Sequence, residues 1–154
     1  MTELRVGVVD VYPVEHGPTG WRVLLLERAE AARSPGAWEV VHGRIEAGEA
    51  PPAAAVRELA EETGLAPARL YSISSHPFYV ASVDTVFVAV TFAAMVSAEA
   101  PLHLGSEHTR GAWLPFAEAA ERATWPRAEE HLRWIARLLR DGSAGPAEDV
   151  LRIV

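Results

Sequence analysis

The sequence contains no cysteine. Disulfide bonds, thiolate metal sites and a cysteine nucleophile are therefore excluded. An excess of positive charge is also missing, because 21 acidic residues outnumber 14 basic ones and give a formal net charge of −7. This balance argues against a protein that coats nucleic acid or an anionic membrane. It is compatible with an anionic small substrate, since a bound divalent cation can be the largest charge in a site.

Long apolar runs are absent as well. Asp10 interrupts the first apolar segment, residues 6–11, before that segment reaches the length of a signal-peptide core. The longest largely apolar stretch, residues 85–98, is shorter than the roughly 20 residues that a membrane-spanning helix needs. We therefore expect a soluble, cytoplasmic protein with neither a nucleic-acid partner nor a membrane partner.

The size and composition of the chain are those of one ordinary globular domain. The chain has 154 residues, of which 49% are hydrophobic and 23% are charged. A chain of this length can bury a core without covalent cross-links. No repeat or low-complexity linker divides the sequence, so it predicts a single domain over residues 1–154, present as a monomer or a homodimer.

Hydrophobic periodicity and turn residues predict an α/β fold. Strands are expected at residues 4–12, 21–28, 38–41, 68–75, 84–96 and 111–114. Helices are expected at residues 53–63, 115–122 and 126–140. The glycine- and proline-containing stretch 141–146 predicts a mobile connection, so residues 141–154 are expected to form a mobile C-terminal tail.

The segment HGRIEAGEAPPAAAVRELAEETGL, residues 42–65, carries most of the chemical information. On a helix over residues 53–63, Glu58, Glu61 and Glu62 fall at i, i+3 and i+4, so their carboxylates share one face. That face is either a solvated surface of an acidic protein or a set of metal ligands. Like charges at this spacing weaken an isolated helix. Carboxylate oxygens suit Mg²⁺ or Mn²⁺, so the pattern favours a metal site.

Three residues around this helix have structural roles that follow from their spacing. Arg57 lies eight residues after Glu49 and can reach back to its carboxylate, which would hold the preceding loop against the helix. Gly64 follows the last helical residue, where a left-handed C-cap is expected.

The complete segment resembles a known family signature. The sequence has Gly43, five residues, Glu49, seven residues and then RELAEETGL over residues 57–65, which matches the signature of the Nudix hydrolases. The resemblance implies a mixed β-sheet sandwiched between α-helices, and hydrolysis of a diphosphate linkage with Mg²⁺ or Mn²⁺. It also implies metal ligation by the Gly43 carbonyl, Glu58, Glu61 and Glu62, and catalytic roles for Arg57, Glu58 and Glu61.

The resemblance leaves the general base open. Glu61 is either a metal ligand or the base, and members of the family differ in which glutamate takes the proton.

A second set of short motifs resembles a narrower branch, the dihydroneopterin triphosphate and dATP pyrophosphohydrolases. The set consists of Ser106-Glu107-His108, Trp113-Leu114 and Thr124-Trp125. It implies that Glu107 is a further catalytic metal ligand delivered from a loop. It also implies that Arg28 contacts substrate phosphate, that Thr124 contacts substrate, and that a nucleoside or pterin triphosphate is cleaved to a monophosphate and pyrophosphate.

Simpler explanations exist for the residues outside the central motif. Glu107 can be a loop carboxylate that caps a nearby group, and Arg28 can form a surface ion pair with Glu27 or Glu30. His42 either contacts substrate, because it adjoins the metal loop, or is a polar loop residue.

Aromatic residues allow similar alternatives. Trp38 and Phe78 can stack on a base or pack in the core. Trp113 is expected to lie in the core.

Other functions of the same family remain alternatives. Members that act on ADP-ribose often carry a proline near the position of Val80, where Pro77 is the nearest proline. Members that act on dinucleoside polyphosphates favour a tyrosine a few residues beyond Tyr79. Some members bind nucleotides without catalysis and have lost their catalytic glutamates. This chain keeps the full set, which favours an enzyme.

Overall fold

The computed structural model describes residues 1–154 and contains seven β-strands and four α-helices. The strands are β1 (Glu3–Gly17), β2 (Gly20–Arg28), β3 (Trp38–Glu39), β4 (Val41–Arg44), β5 (Arg69–Val80), β6 (Thr85–Met95) and β7 (His108–Pro115). The helices are α1 (Pro51–Thr63), α2 (Phe116–Arg122), α3 (Arg127–Leu138) and α4 (Glu148–Leu151).

All seven strands belong to one mixed sheet. The main path is β3-β2-β1-β6-β5, with β4 paired to β1 and β7 paired to β2. Only the β1–β6 pair is parallel, and the other pairs are antiparallel. The prediction of a mixed sheet is confirmed.

Strand β1 pairs with two strands, β4 and β2, along the same edge. Its residues 8–11 pair with β4, whereas its residues 14–17 pair with β2 through a hairpin that closes at Gly17 and Gly20. The β1–β4 register places Asp10 opposite His42. Because β4 pairs with this part of β1, the strand in which the motif begins lies beside the buried carboxylate of Asp10.

Two hydrophobic cores lie on the two faces of the sheet. Helix α1 covers one face through a cluster that includes Leu59, Leu65 and Phe92. Helices α2 and α3 cover the other face through a cluster that includes Tyr12, Leu132 and Ile135. The sheet is therefore sandwiched between helices, which confirms the predicted fold class.

Some element boundaries differ from the sequence prediction. The expected strand at residues 38–41 is two short strands, because β3 pairs with β2 while β4 pairs with β1. Strand β1 runs on to Gly17, since its second half forms the hairpin with β2.

The C-terminal segment lies along β5. Leu70 exchanges backbone hydrogen bonds with it: its N–H donates to the Val154 carbonyl at 3.3 Å, and its carbonyl accepts from Ile153 at 2.7 Å. The Tyr71 hydroxyl donates to Glu148 at 2.8 Å. These contacts join the segment to the sheet, while the mobility of residues 141–154 and the single-domain boundary stay predictions. None of the helices has the length and apolarity needed to cross a membrane.

Candidate active site

Helix α1 is fixed at both ends and on its buried face. Pro51 occupies the first helical turn, where the missing N–H costs nothing. At the other end Gly64 has a φ of 75°, and its N–H donates to the Ala60 carbonyl at 2.8 Å. Leu59 is fully buried against the sheet. The helix consequently presents its glutamates at a defined position beside β4.

Glu62 is the most buried carboxylate of the motif. It is 5% exposed, and its Oε2 accepts a hydrogen bond from the His42 backbone N–H at 3.2 Å. Burial and then the charge of Glu58 raise the pKa of Glu62 to about 9, although the His42 hydrogen bond opposes the rise. Without a bound cation, the folded state therefore favours the protonated form of Glu62 at neutral pH.

Glu58 lies at the same place, and its carboxylate adjoins the backbone of β4. Burial raises the pKa of Glu58, the Arg57 hydrogen bond lowers it, and the charges of Glu61 and Glu107 add to the rise. A β-carbon on Gly43 would lie 2.0 Å from Cδ of Glu58. Only a glycine at position 43 allows this carboxylate to approach the main chain so closely.

This donor set fits a hard divalent cation. Glu58 lies against the Gly43 backbone and Glu62 against the neighbouring His42 N–H, and carboxylate and carbonyl oxygens are the ligands that Mg²⁺ and Mn²⁺ prefer. No three acidic or histidine side chains are already spaced as a metal site. Instead, Nη1 of Arg57 donates to Glu58 at 2.8 Å and to Glu61 at 3.3 Å. Metal ligation by this set stays a prediction.

Arg57 makes the contact with Glu49 that their spacing predicts. Its Nε and Nη2 donate to the two Glu49 oxygens, each at 2.8 Å, and Nη2 also donates to the Arg44 carbonyl at 2.9 Å. The Arg57 hydrogen bonds, with the Glu46 backbone N–H, lower the pKa of Glu49 to about 2. Arg57 thereby joins the loop before α1 to the helix.

Glu107 lies in the loop before β7 and its side chain is exposed. Glu107 lines the same cleft as Glu58, Glu61 and Glu62, and its charge adds to the raised pKa of Glu58 and Glu62. The Glu107 backbone carbonyl accepts from the Ala29 N–H at 2.8 Å, and this bond holds the loop beside the end of β2. The structure thus brings Glu107 to the predicted site from a distant part of the chain.

Arg28 has a different partner from the ones that its sequence neighbours suggested. Its Nη1 donates to Oε2 of the buried Glu39 at 3.0 Å, and Glu39 also contacts Nε2 of His108 at 3.2 Å. The alternative that pairs Arg28 with Glu27 or Glu30 is wrong. Arg28 lines the main cleft, and phosphate binding by it stays a prediction.

Thr124 forms two hydrogen bonds with the main chain of Trp38. The Thr124 hydroxyl accepts from the Trp38 N–H at 3.0 Å, and the Thr124 N–H donates to the Trp38 carbonyl at 2.9 Å. Its neighbours Ala123 and Trp125 line the cleft, but Thr124 does not. The predicted contact between Thr124 and substrate therefore has no support in the position of its hydroxyl.

A polar cluster that sequence reasoning missed lies next to His42. Asp10 is 1% exposed, and its two oxygens contact Nδ1 of His42 at 2.5 Å and Nε of Arg127 at 3.2 Å. Burial opposes ionisation of Asp10, but the hydrogen bond and charge of His42 together with Arg127 hold its pKa below the ordinary value. The sequence showed Asp10 only as a carboxylate within an apolar strand, and that isolation was the available sign of a buried charged partner.

The same cluster determines the direction in which the pKa of His42 is shifted. Burial lowers the pKa of His42, but the hydrogen bond with Asp10 and its charge outweigh burial, and the net shift is upward. His42 thus joins the two halves of the site, since its backbone contacts Glu62 and its ring contacts Asp10.

One cleft of about 1950 Å³ connects these groups. Its walls include the motif carboxylates, Arg28, Glu107 and the Asp10 cluster. Its aromatic lining consists of Tyr12, Trp38, Phe78, Phe87 and Trp125. A cleft with carboxylates at one place and aromatic rings elsewhere can hold a flat ring joined to a phosphate chain.

The NUDIX domain family matches residues 1–137 of the chain. The chain belongs to the Nudix hydrolase family. A curated relative, the octanoyltransferase of Myxococcus xanthus, is 35% identical over 114 residues. That match covers 73% of this chain and 31% of the relative, so the chain spans about a third of the length of the protein to which that name applies.

Solved Nudix structures share the fold. The Ap4A hydrolase of C. elegans, solved as a binary complex, has a TM-score of 0.73 at 18% identity, with 86% of this chain and 96% of that chain covered. The dihydroneopterin triphosphate pyrophosphohydrolase of E. coli has a TM-score of 0.68 at 23% identity, with the same coverage of 86% and 96%. These likenesses, with the family match, confirm the Nudix fold.

Proposed function

We propose that this chain is a Mg²⁺- or Mn²⁺-dependent hydrolase that cleaves a nucleoside or pterin triphosphate to a monophosphate and pyrophosphate. The observation that carries the proposal is the contact between the Gly43 backbone and the Glu58 carboxylate. That contact brings a carbonyl-bearing strand beside a carboxylate whose pKa is raised by burial and by the neighbouring charges of Glu61 and Glu107. A cation bound there would be held by the Gly43 carbonyl, Glu58, Glu61, Glu62 and Glu107.

The reaction that suits this site is attack of water on phosphorus. A bound divalent cation would neutralise the phosphate oxygens and acidify a water molecule. The water oxygen forms a bond to the phosphorus, the bridging P–O bond breaks, and pyrophosphate leaves with the bonding electrons. The proton of the water goes to a carboxylate of the site, for which Glu61 and Glu58 are the candidates. Arg57 keeps these two side chains in place through the hydrogen bonds at 2.8 and 3.3 Å.

The cleft supports a triphosphate of a flat ring as substrate. Glu107 and Arg28 line the same cleft as the motif glutamates, which supports the roles that the resemblance to the dihydroneopterin triphosphate and dATP branch implies for them. By contrast, Tyr79 is 57% exposed, donates to Asp84 at 2.9 Å and does not line the cleft. Tyr79, which already lies a few residues before the position of the tyrosine typical of members that act on dinucleoside polyphosphates, therefore gives no support to that alternative. Location in the cytoplasm and a monomeric or homodimeric state stay predictions.

The test is a substrate panel assayed with and without inorganic pyrophosphatase, in Mg²⁺, in Mn²⁺ and in excess chelator. The panel contains nucleoside triphosphates, dihydroneopterin triphosphate, ADP-ribose and a dinucleoside tetraphosphate. From the triphosphates we expect phosphate to appear only when pyrophosphatase is present, because the enzyme itself releases pyrophosphate. Cleavage of ADP-ribose or the dinucleotide releases no pyrophosphate, so it is followed by chromatography of the mononucleotide products. Chelator should abolish the reaction.

The matched variants are Glu58→Gln and Glu99→Gln. Glu58 lies in the carboxylate cluster, whereas Glu99 is exposed outside the cleft. We expect Glu58→Gln to lower kcat by roughly 100-fold or more and Glu99→Gln to leave it unchanged. Full activity of Glu58→Gln, or turnover in chelator, contradicts the proposal. Preference for ADP-ribose or the dinucleotide by more than tenfold contradicts the substrate class alone.

A further inference from the structure

Arg127 presents unused hydrogen-bond donors to the cleft. It is the first residue of α3, its side chain is 32% exposed, and its Nε donates to the buried Asp10 at 3.2 Å. The terminal Nη1 and Nη2 groups have no acceptor in the protein, although the residue lines the cleft. Its guanidinium lies 5.9 Å from the centre of the Trp125 ring, which also lines the cleft. Asp10 and Trp125 therefore hold a planar fork of donors in a defined orientation.

The groups around Arg127 do not offer a matching acceptor. Both oxygens of Asp10 are engaged by His42 and Arg127, and the side chain is only 1% exposed. The chain also contains no asparagine and no glutamine, so no side-chain amide can pair a donor and an acceptor with a heterocycle. Arg127 itself presents two free N–H donors to the cleft, beside the His42 ring, whose Nδ1 is engaged by Asp10.

We propose that Arg127 determines specificity by binding the acceptor–acceptor edge of an oxo heterocycle, a guanine-type purine or a pterin. This inference rests on the proposed function, since it names the ring of the triphosphate that the site would cleave. Guanine places O6 and N7 side by side, and an arginine fork donates to both. A pterin places its oxo oxygen next to a ring nitrogen in the same way.

Adenine lacks the acceptor–acceptor edge, so it is the ring that a contact with Arg127 should reject. Its amino group next to N7 is a donor, and the side chain that pairs with that edge is an asparagine or a glutamine. Arg127 would face the adenine amino group with a second donor, and both would be left without a partner. A polar group from which a bound ring displaces water, and which then finds no partner, is strongly unfavourable, so sites built for hydrogen bonding reject such analogues.

The first experiment uses the unmodified protein. We would measure kcat/KM for GTP, ITP, ATP, 7-deaza-GTP and dihydroneopterin triphosphate. GTP, ITP and the pterin should exceed ATP by roughly tenfold or more, because one bidentate contact discriminates by about that factor. ITP keeps the edge but lacks the 2-amino group, so it should resemble GTP. The 7-deaza analogue lacks N7 and should fall toward ATP. Equal or better cleavage of ATP than of GTP overturns the proposal.

The second experiment compares Arg127→Gln, Arg127→Lys and the control Arg133→Gln. Arg133 is on the same helix, and its side chain is 71% exposed. The readout is the ratio of kcat/KM for GTP to that for ATP, which does not depend on the fraction of enzyme that is folded. Arg127→Gln should reverse or abolish the preference, Arg127→Lys should reduce it, and Arg133→Gln should preserve it. An unchanged ratio in Arg127→Gln overturns the proposal.

Failure of this inference differs from failure of the proposed function. A protein that cleaves triphosphates in a Mg²⁺-dependent way without discriminating between GTP and ATP keeps the proposed function and loses the role of Arg127. Both proposals are contradicted if the protein cleaves no member of the panel and if Mg²⁺, added together with each panel substrate, leaves its melting temperature unchanged.

Discussion

The backbone of Gly43 and the carboxylate of Glu58 occupy adjoining space, so that a β-carbon at position 43 would lie 2.0 Å from Glu58 Cδ. Gly43 is not in the left-handed region of backbone conformation, so alanine can adopt its φ and ψ. The cost of a side chain at this position is therefore steric, and it falls on the free end of a flexible glutamate. A side chain added at position 43 is therefore expected to disturb the site while leaving the fold intact.

Gly43→Ala is expected to displace Glu58 and to leave folding nearly intact. We predict that kcat falls at least tenfold and that Mg²⁺ is needed at a higher concentration, while the free energy of unfolding without metal changes by less than about 1 kcal/mol. Metal titration of activity and thermal melting in chelator measure the two effects. The control is Gly17→Ala, whose β-carbon would meet nothing closer than 3.8 Å. Normal activity of Gly43→Ala would show that Glu58 is not needed in its present position.

Glu62→Gln is predicted to change stability in opposite directions with and without metal. The ionised form of Glu62 is disfavoured in the folded state, because burial and Glu58 raise its pKa to about 9. The unfolded chain ionises this group near pH 4, so stability is lost as pH rises from there toward 9. At pH 7.5 in chelator, Glu62→Gln should therefore melt a few degrees higher than the unmodified protein.

Addition of Mg²⁺ should then favour the unmodified protein. A ligand of the folded state raises stability by mass action, and removal of a ligand charge weakens that effect. We expect the rise in melting temperature with Mg²⁺ to be smaller in Glu62→Gln, and kcat to fall by roughly 100-fold. Equal Mg²⁺-induced shifts in the two proteins would count against Glu62 as a ligand.

Arg57→Ala should lower activity by about 10- to 100-fold without abolishing metal binding, which is the usual effect of losing a residue that orients a ligand. Arg57 binds both oxygens of Glu49 at 2.8 Å, so the two residues act as a unit. Glu49→Gln should therefore cost little more when Arg57 is already alanine. A double-mutant cycle on kcat, with Mn²⁺ affinity measured in parallel, checks this, and strictly additive losses would show that the pair is not coupled.

Thr124→Val tests whether the Thr124 hydroxyl serves the fold or the substrate. Removal of the hydroxyl leaves the Trp38 N–H without its acceptor at 3.0 Å, so the free energy of unfolding should fall by about 1 kcal/mol. We expect kcat/KM to change by less than threefold for every substrate of the panel. The control is Thr109→Val, because the Thr109 hydroxyl makes only a long, exposed contact at 3.5 Å. A large, substrate-dependent rise in KM would instead support the predicted contact with substrate.

The central part of the site was determined by local sequence. The spacing of Glu58, Glu61 and Glu62 fixes their shared direction, because side chains three and four residues apart on a helix lie on one face. The eight-residue separation of Arg57 and Glu49 likewise allows their contact, since it spans only the end of one loop and about two helical turns. Leu59 and Leu65 orient the helix by burial, which their apolar character already indicates.

The second half of the site was decided by tertiary structure. Arg127 and Asp10 are 117 positions apart, and they meet only because α3 packs over the strand that carries Asp10. The contact between Asp10 and His42 depends on the register of β1 against β4, and that of Trp38 with Thr124 on the approach of a loop to β3. Helical periodicity is written in a few consecutive residues, whereas strand register and helix docking are set by the packing of the whole core. The sequence alone therefore determined the helix that carries the three glutamates, and the folded chain determined which distant polar groups lie together in the cleft beside it.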